Sequence, residues 1–393
     1  MLAQRALQFG ETIFSEISAL AVQHGAVNLG QGFPDFAPPD FVLQAAQAAV
    51  EGGEHQYARG AGHLALAEAV AEMTSASLAR RIDPRAEVTI TVGATEALFA
   101  TTLALVDPGD EVILFEPFYD SYPADAAIAG ALLRYVPLQP DAAGLWRFDP
   151  DELRRAFSAR TKLIFLNTPH NPTGKVFSRD ELELIASLCL EHDALAVCDE
   201  VYERIVFDGR RHLHLAAIDG MWDRTVTISS AGKTFSVTGW KIGWTVANAR
   251  LSAGIRKVHQ WIPFAVATPL QVAVALVLRA AAQRDYFDWL RGMYQAKRDE
   301  LVPMLRAAGM EPLVPEGTYY VVADTTALGF DDDVQLCRHL TTEVGVAAIP
   351  PSAFYSEEHK HLARHHARFC FCKGDETLRA AGERLRAAPI RRR

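Results

Sequence analysis

The middle of the chain alternates short apolar segments with stretches of helical periodicity. The apolar segments span residues 87–92, 110–116, 161–167, 194–200 and 225–230. They scarcely alternate between apolar and polar positions, which is typical of strands that are buried on both faces. Such strands, separated by helices, predict an α/β fold built on a mostly parallel sheet with helices on both sides.

From about Asp285 the pattern changes to that of an α+β unit. A long helical stretch is followed by separated short strands with helices between them. The helical stretch spans 286–309, and the strand-like segments span 318–324, 345–351 and 368–373. We interpret this part as a second, smaller domain. The N-terminal segment before Gly30 is mostly helical and is able to pack with either part.

Composition and charge narrow the class of protein. The chain has 393 residues, of which 49% are hydrophobic, and a formal net charge of −9. Its only basic cluster is Arg391 to Arg393, which argues against nucleic acid as a main partner. The longest apolar run stops at Arg279 and is too short for a bilayer, and the N-terminus lacks the apolar region of a signal peptide. With five scattered cysteines, this predicts a soluble, cytoplasmic protein without a membrane partner.

Polar residues follow four of the predicted strands. They are the segment 93–96 (Gly-Ala-Thr-Glu), Asn171, Asp199 with Tyr202, and Lys233. Each has an ordinary interpretation alone, as a helix cap, a turn or a solvated side chain. The carboxyl ends of parallel strands, however, meet at one edge of a sheet, where ligands bind. There a phosphate-binding helix N-terminus would join a carboxamide, a carboxylate, a phenol and an amine, which together fit pyridoxal phosphate.

The sequence Gly232-Lys233-Thr234 has a second interpretation, as a phosphate-binding loop of a nucleotide-binding protein. That motif needs a glycine five residues before the Gly-Lys pair, where Thr227 stands, and a helix afterwards. Residues 235–240 instead favour a turn and a strand. Lys233 is therefore not expected to bind a nucleotide.

Several longer motifs identify the chain as a member of a known family. It resembles the class I/II aminotransferases, within them the kynurenine (glutamine) and methionine aminotransferase branch. The motifs are VNLGQGFPDF (27–36), DPGDEVILFEPFYDSY (107–122), NTPHNPTGK (167–175), CDEVYE (198–203), SSAGKTFSVTGWKIGW (229–244) and RFCF (368–371). The resemblance implies an aspartate-aminotransferase-like fold (PLP fold type I) with a seven-stranded sheet. It also implies a large domain at 33–284 and a small domain formed by 1–32 and 285–393.

The resemblance implies roles around the ring of a pyridoxal 5'-phosphate cofactor. Lys233 would be the Schiff-base lysine, and Asp199 would pair with the pyridine nitrogen. Tyr202 and Asn171 would bind the 3-oxygen. Tyr119 matches the aromatic residue that stacks on the ring.

The resemblance also implies how the phosphate is bound. Backbone groups of Ala94 and Thr95 would bind it together with the side chains of Ser230 and Lys241. Tyr57 matches a tyrosine that reaches the phosphate of the neighbouring subunit. A homodimer with shared active sites is therefore implied.

For the substrate, the resemblance implies that Arg368 binds the α-carboxylate and that the Gly32 backbone lines the same pocket. Phe14 stands where kynurenine-type relatives often carry Trp. Phe264, followed by Ala265, stands where some carry an aromatic-His pair from the partner subunit. Both phenylalanines would shape an apolar side-chain pocket, and both depart from the kynurenine pattern.

The implied activity is transfer of an amino group between an L-amino acid and a 2-oxo acid by a ping-pong mechanism. A methionine, glutamine or aromatic amino acid is the expected donor. The alternatives are a cysteine-conjugate or C–S β-lyase, an N-succinyldiaminopimelate aminotransferase, and a non-catalytic regulator that keeps the fold.

A metal site is not predicted. The segment 358–369 holds four histidines, and His361 and His365 would share one face if it were helical. A third ligand is not evident in the sequence, so a solvated helix is the favoured interpretation.

Overall fold

The strands lie where short apolar segments alternate with loops. A computed structural model of the chain describes residues 2–7, 9–387 and 390–391. The strands in this part are β1 (Val27–Asn28), β2 (Val88–Val92), β3 (Glu111–Glu116), β4 (Leu132–Pro137), β5 (Gln139–Pro140), β6 (Trp146–Arg147), β7 (Thr161–Asn167), β8 (Leu195–Asp199), β9 (Thr225–Ser230), β10 (Ile242–Val246), β11 (Glu311–Leu313), β12 (Tyr320–Asp324), β13 (Val346–Ala347) and β14 (His366–Cys370).

The helices flank these strands. They are α1 (Gln4–Leu7), α2 (Ile13–His24), α3 (Asp40–Glu51), α4 (Leu64–Leu78), α5 (Gly93–Leu105), α6 (Ser121–Ala129), α7 (Pro150–Ala156), α8 (Arg179–Glu191), α9 (Ala231–Thr234), α10 (Ala249–His259), α11 (Thr268–Ala282), α12 (Tyr286–Ala307), α13 (Asp333–His339) and α14 (Asp375–Ala387). Among the described residues, none of the helices combines the length and apolar character that a membrane span needs.

The main sheet has seven strands in the order β2-β10-β9-β8-β7-β3-β4. Neighbouring strands are parallel except at β10, which runs antiparallel to β2 and β9. The predicted α/β architecture with a mostly parallel sheet is therefore confirmed.

Both faces of this sheet are covered, which explains the near-continuous apolar strands. On β7, Leu163 and Phe165 pack with α5, α6 and α10, whereas Ile164 and Leu166 pack with α7 and α8. The start of α8 is fixed by Ser178, whose hydroxyl accepts from the backbone N–H of Glu181 while the Glu181 carboxylate accepts from the backbone N–H of Ser178.

The C-terminal part forms a separate antiparallel sheet in the order β11-β12-β14. The strand β1 near the N-terminus pairs in parallel with β13. This pairing joins the N-terminal segment to the C-terminal part. The domain boundaries given above, at residues 33 and 284, remain a prediction.

Two local predictions differ from the structure. The histidine-rich segment is not one helix, because His361 lies in a short 3₁₀ turn (Lys360–Ala363) and β14 begins at His366. Pairing of β14 with β12 buries the apolar residues of this segment and determines its conformation. Lys233 lies within a single helical turn, α9, and a 3₁₀ turn (Thr238–Trp240) follows before the strand, which begins only at Ile242.

Candidate active site

A cavity of about 340 Å³ lies at the carboxyl ends of the parallel strands. It brings together most of the residues that the sequence predicts to be functional. Those that line it are Phe14, Gly32, Ala94, Thr95, Tyr119, Asn171, Asp199, Tyr202, Ser230, Lys233 and Lys241. The predicted convergence of the strand ends on one cleft therefore agrees with the structure.

Lys233 lies on the one-turn helix α9, directly after β9. Its Nζ is 3.4 Å from the Gly32 carbonyl oxygen and 5.7 and 5.6 Å from the ring centroids of Tyr202 and Tyr319. Burial lowers the pKa of Lys233 to about 8, and the charge of Asp199 opposes this effect. The amine therefore loses its proton close to neutral pH, where it is able to act as a base or a nucleophile.

Asp199 ends β8 and is 5% exposed. Its Oδ2 accepts a 2.7 Å hydrogen bond from the hydroxyl of Tyr122, and its Oδ1 lies 3.3 Å from the backbone nitrogen of Val201. Burial raises the pKa of Asp199 to about 6, while the bond from Tyr122 acts in the opposite direction. A cation placed in the cavity would meet a preoriented carboxylate.

The Asn171 side chain lies between the sheet and Arg368. The side chain of Asn167, the last residue of β7, holds this loop, because its Oδ1 accepts from the backbone N–H of Asn171 at 2.6 Å and its Nδ2 donates to the carbonyl of Asp199 at 2.8 Å. Arg368 Nη1 donates to the Asn171 carboxamide oxygen at 3.2 Å.

Arg368 is the largest fully buried side chain, at 1% exposure. Its Nη2 donates to the Gly30 carbonyl at 2.7 Å, and its Nε has no hydrogen-bond partner. The guanidinium carbon is 4.3 Å from the ring centroid of Tyr320 and 5.1 Å from those of Phe14 and Phe354. These contacts fix a buried cation beside the cavity, and no carboxylate of the described chain forms a salt bridge with it.

The opposite end of the cavity offers donors for an anion. The helix α5 begins there, and its first residues 93–95 leave backbone N–H groups free for a ligand. Lys241 reaches the same place, with its Nζ 3.3 Å from the Thr95 hydroxyl. Gly93, at a φ of +69°, keeps the space open, because a Cβ here would lie 3.1 Å from Lys241 Nζ. Ser230, the last residue of β9, lines the same cavity.

Aromatic side chains form the wall beside Lys233. The hydroxyls of Tyr202 and Tyr320 are 3.4 Å apart, and Tyr319 donates to the Gly32 carbonyl at 2.7 Å. At Gly32 a Cβ would lie 1.8 Å from the Tyr320 hydroxyl oxygen, so only glycine fits.

Tyr57 and Phe264 do not line the cavity of their own chain. Their side chains are 81% and 63% exposed, and the two rings meet edge to face at 5.0 Å. Trp261, which is 83% exposed, lies with Phe264 in the segment that follows the end of α10 at His259. The described surface therefore carries an aromatic patch outside the cleft.

Tyr122, Asn167, Tyr319 and Tyr320 are site residues that the sequence analysis did not single out. Tyr122 lies within a quoted motif, but its contact with Asp199 spans 77 positions. Asn167, like Asp199, is a polar residue at the end of a buried apolar strand, so a search of the strand ends could have found it. Tyr320 begins β12, and Tyr319 is the residue before it. Both reach the site from the C-terminal part of the chain, whereas the sequence analysis searched only the ends of the parallel strands.

Comparison with known proteins supports one family. The model of the family "Aminotransferase class I and II" matches residues 25–385. Kynurenine–oxoglutarate transaminase of Dictyostelium discoideum is 42% identical over 96% of this chain and 94% of the relative. The solved N-succinyldiaminopimelate aminotransferase of Mycobacterium tuberculosis is 46% identical, with a TM-score of 0.94 over 98% of this chain and 100% of its own.

Two further solved structures are similar over nearly the whole chain. A protein of Escherichia coli described as having a methionine aminotransferase function is 42% identical, with a TM-score of 0.93 over 99% of this chain and 100% of its own. An aspartate aminotransferase of Thermus thermophilus is 32% identical, with a TM-score of 0.89 over 98% of this chain and 99% of its own. The predicted aspartate-aminotransferase-like fold is thus confirmed, and the chain is a member of the class I and II aminotransferases.

Proposed function

We propose that this enzyme uses pyridoxal 5'-phosphate to move the amino group of an L-amino acid to a 2-oxo acid by a ping-pong mechanism. One observation carries the proposal. An amine with a lowered pKa and a buried carboxylate line the same cavity, which also has an anion-binding end. Lys233, Asp199 and the start of α5 supply these three features.

The residues present fit the cofactor in charge and in hydrogen-bonding capacity. The backbone N–H groups of residues 93–95, with Ser230 and Lys241, would bind the phosphate. Asp199 would pair with the protonated pyridine nitrogen through a charge-assisted hydrogen bond. Tyr202 and Asn171 would bind the 3-oxygen, and Tyr119 would cover the ring, whereas Lys233 would bind the aldehyde.

When bound, the cofactor supplies a conjugated ring that takes up the electron pair left by the departing α-proton of the amino acid. Lys233 accepts that proton on its Nζ and later returns it, a role suited to a pKa of about 8. Asp199 holds the proton on the ring nitrogen. The buried Arg368 binds the α-carboxylate through its guanidinium, which has no carboxylate partner of its own in the described chain.

The side-chain pocket favours an uncharged substrate. Phe14, Tyr320 and Gln31 line the cavity near Arg368, and the remaining cations of the lining, Lys233 and Lys241, already have roles. We therefore propose methionine, glutamine or an aromatic amino acid as donor; a kynurenine transaminase and a methionine aminotransferase function are named among the relatives. An N-succinyldiaminopimelate substrate is the second candidate, because the Mycobacterium tuberculosis relative is 46% identical.

A screen of half-reactions tests this proposal. The cofactor-loaded enzyme is mixed with each amino acid in the absence of an acceptor, and the visible absorbance of the cofactor is followed. We expect rapid loss of absorbance with methionine, glutamine or phenylalanine and slow loss with aspartate. Pyruvate and ammonia formed from a cysteine conjugate without any 2-oxo acid would instead indicate a β-lyase. Absorbance that no amino donor changes would contradict the proposal.

We also propose a homodimer in which each site is completed by the partner chain. The exposed aromatic patch of Tyr57, Trp261 and Phe264 supports this, since large apolar side chains exposed together are typical of interfaces. Tyr57 would reach the phosphate of the partner's site, and Phe264 would border its substrate.

Mixing two inactive variants tests the shared site. In a mixture of Lys233→Ala and Tyr57→Ala chains, a hybrid dimer would carry both defects in one site and none in the other. Activity above that of either variant alone is expected, and its absence would exclude shared sites.

A cytoplasmic location is proposed from the cysteines. All five are free and buried, which fits a reducing compartment.

A further inference from the structure

A cluster of three potential metal ligands begins directly after Asp199 in the chain, and none of its members lines the cavity. It consists of Glu200, His212 and His214, and their ligand atoms all lie within 4.8 Å of one another. The Glu200 side chain is 0% exposed, and those of His212 and His214 are 6% and 10% exposed. None of these three residues has a role in the function proposed above.

The fold brings this cluster together from two segments. Glu200 follows β8, and its backbone nitrogen donates to the carbonyl of Ile228 on β9 at 2.8 Å. The chain then reverses at Asp208 and Gly209, both of which have a positive φ. This reversal returns His212 and His214 to the buried carboxylate.

The hydrogen bonding within the cluster is incomplete. His214 Nδ1 lies 2.5 Å from Glu200 Oε2, and His212 Nε2 lies 3.1 Å from the same oxygen but not at a hydrogen-bonding angle. Glu200 Oε1 and both ring nitrogens of His212 are buried without a hydrogen-bond partner. Unpartnered buried polar atoms are rare in native proteins. Since only one nitrogen of an imidazole ring can face a given point, two of these atoms, Glu200 Oε1 and one ring nitrogen of His212, are available to a shared ligand.

We propose that Glu200, His212 and His214 bind a divalent transition-metal ion of the zinc class. Two imidazoles and one carboxylate form a donor set known from zinc sites, in which a water molecule takes the fourth position. With bonds of about 2.0–2.2 Å, tetrahedral ligand atoms lie roughly 3.3–3.5 Å apart. The 3.1 Å separation of His212 and Glu200 is close to this spacing. A shift of His214 Nδ1 by about 1 Å would bring its 2.5 Å separation from Glu200 Oε2 to the same spacing. The two rings are already perpendicular, with centroids 4.6 Å apart.

The experiment is a titration of the cofactor-loaded enzyme, without an affinity tag, with Zn²⁺ and with Co²⁺. We expect one ion to bind per chain, measured by equilibrium dialysis. Bound Co²⁺ should show ligand-field absorption without a thiolate charge-transfer band, since no cysteine contributes.

Matched variants locate the site. His214→Ser should lower the affinity for Zn²⁺ at least tenfold, whereas the control His24→Ser, at an exposed position on α2, should leave it unchanged. Circular dichroism and the visible absorbance of the cofactor verify that each variant is folded. A wild-type enzyme that binds less than one tenth of an ion per chain at saturating Zn²⁺ would overturn the proposal, and so would unchanged binding by a folded His214→Ser variant.

Discussion

The buried guanidinium of Arg368 permits a sharp test, because lysine keeps its charge but not its shape. Arg368 Nη1 and Nη2 form hydrogen bonds of 3.2 and 2.7 Å to Asn171 and Gly30, which hold the planar guanidinium beside the cavity. The Arg368→Lys variant would lose one of two charge-assisted bonds to a substrate carboxylate, which costs about 1.5–3 kcal/mol. We therefore expect kcat/KM for an amino acid to fall by about 10–100-fold.

The assay compares two donors in the half-reaction. One is a favoured amino acid, and the other is the corresponding amine without its carboxylate. If Arg368 binds the carboxylate, the variant should lose rate with the amino acid and keep its rate with the amine. Arg364→Lys, at an exposed position four residues earlier, is the matched control and should react as the wild type does. An equal loss with both donors would refute the reasoning, because it would show general damage to the site.

Other changes follow from the contacts of the same cavity. Lys233→Ala should lower turnover by at least about 10²–10⁴-fold in a steady-state assay. Burial lowers the pKa of Lys233 to about 8, so the neutral amine gains population as pH rises. The rate at which the cofactor-free protein binds pyridoxal phosphate covalently should therefore rise with pH and level off above about 8; a rate independent of pH would contradict it. Tyr122→Phe removes the 2.7 Å bond to Asp199 and should slow the half-reaction about tenfold with an unchanged circular dichroism spectrum. Gly32→Ala places a Cβ 1.8 Å from the Tyr320 hydroxyl and should destabilise the protein by about 1–3 kcal/mol, measured by thermal unfolding.

The strands of the main sheet could be predicted closely because local signals and tertiary structure agree there. The segments 161–167 and 225–230 coincide with β7 and β9, whose apolar runs are bounded by turns. Tyr57, Tyr119, Ser230 and Lys241 came only from the family resemblance. The segment 93–96, Asn171, Asp199 and Lys233 could be found from the strand pattern, since they lie at or shortly after strand ends. Chain order and strand direction suffice to place them at one edge.

Contacts between distant segments could not be predicted from the residues alone. The bond from Tyr122 to Asp199 and the approach of His212 and His214 to Glu200 depend on how loops return to the sheet. The prediction of a helix for the histidine-rich segment 358–369 was wrong for a related reason. Its local pattern favoured a helix, but pairing of β14 with β12 determined its conformation.

Arg368 joins three parts of the chain that are far apart in sequence. Its guanidinium contacts Gly30, 338 positions away, and Asn171, 197 positions away. Because closing such long loops is entropically costly, this junction forms only when the N-terminal segment, the main sheet and the C-terminal strands have all docked. The proposed recognition of the substrate carboxylate by Arg368 is consequently a property of the completed chain, and a fragment that lacks either terminus would be expected to lose it.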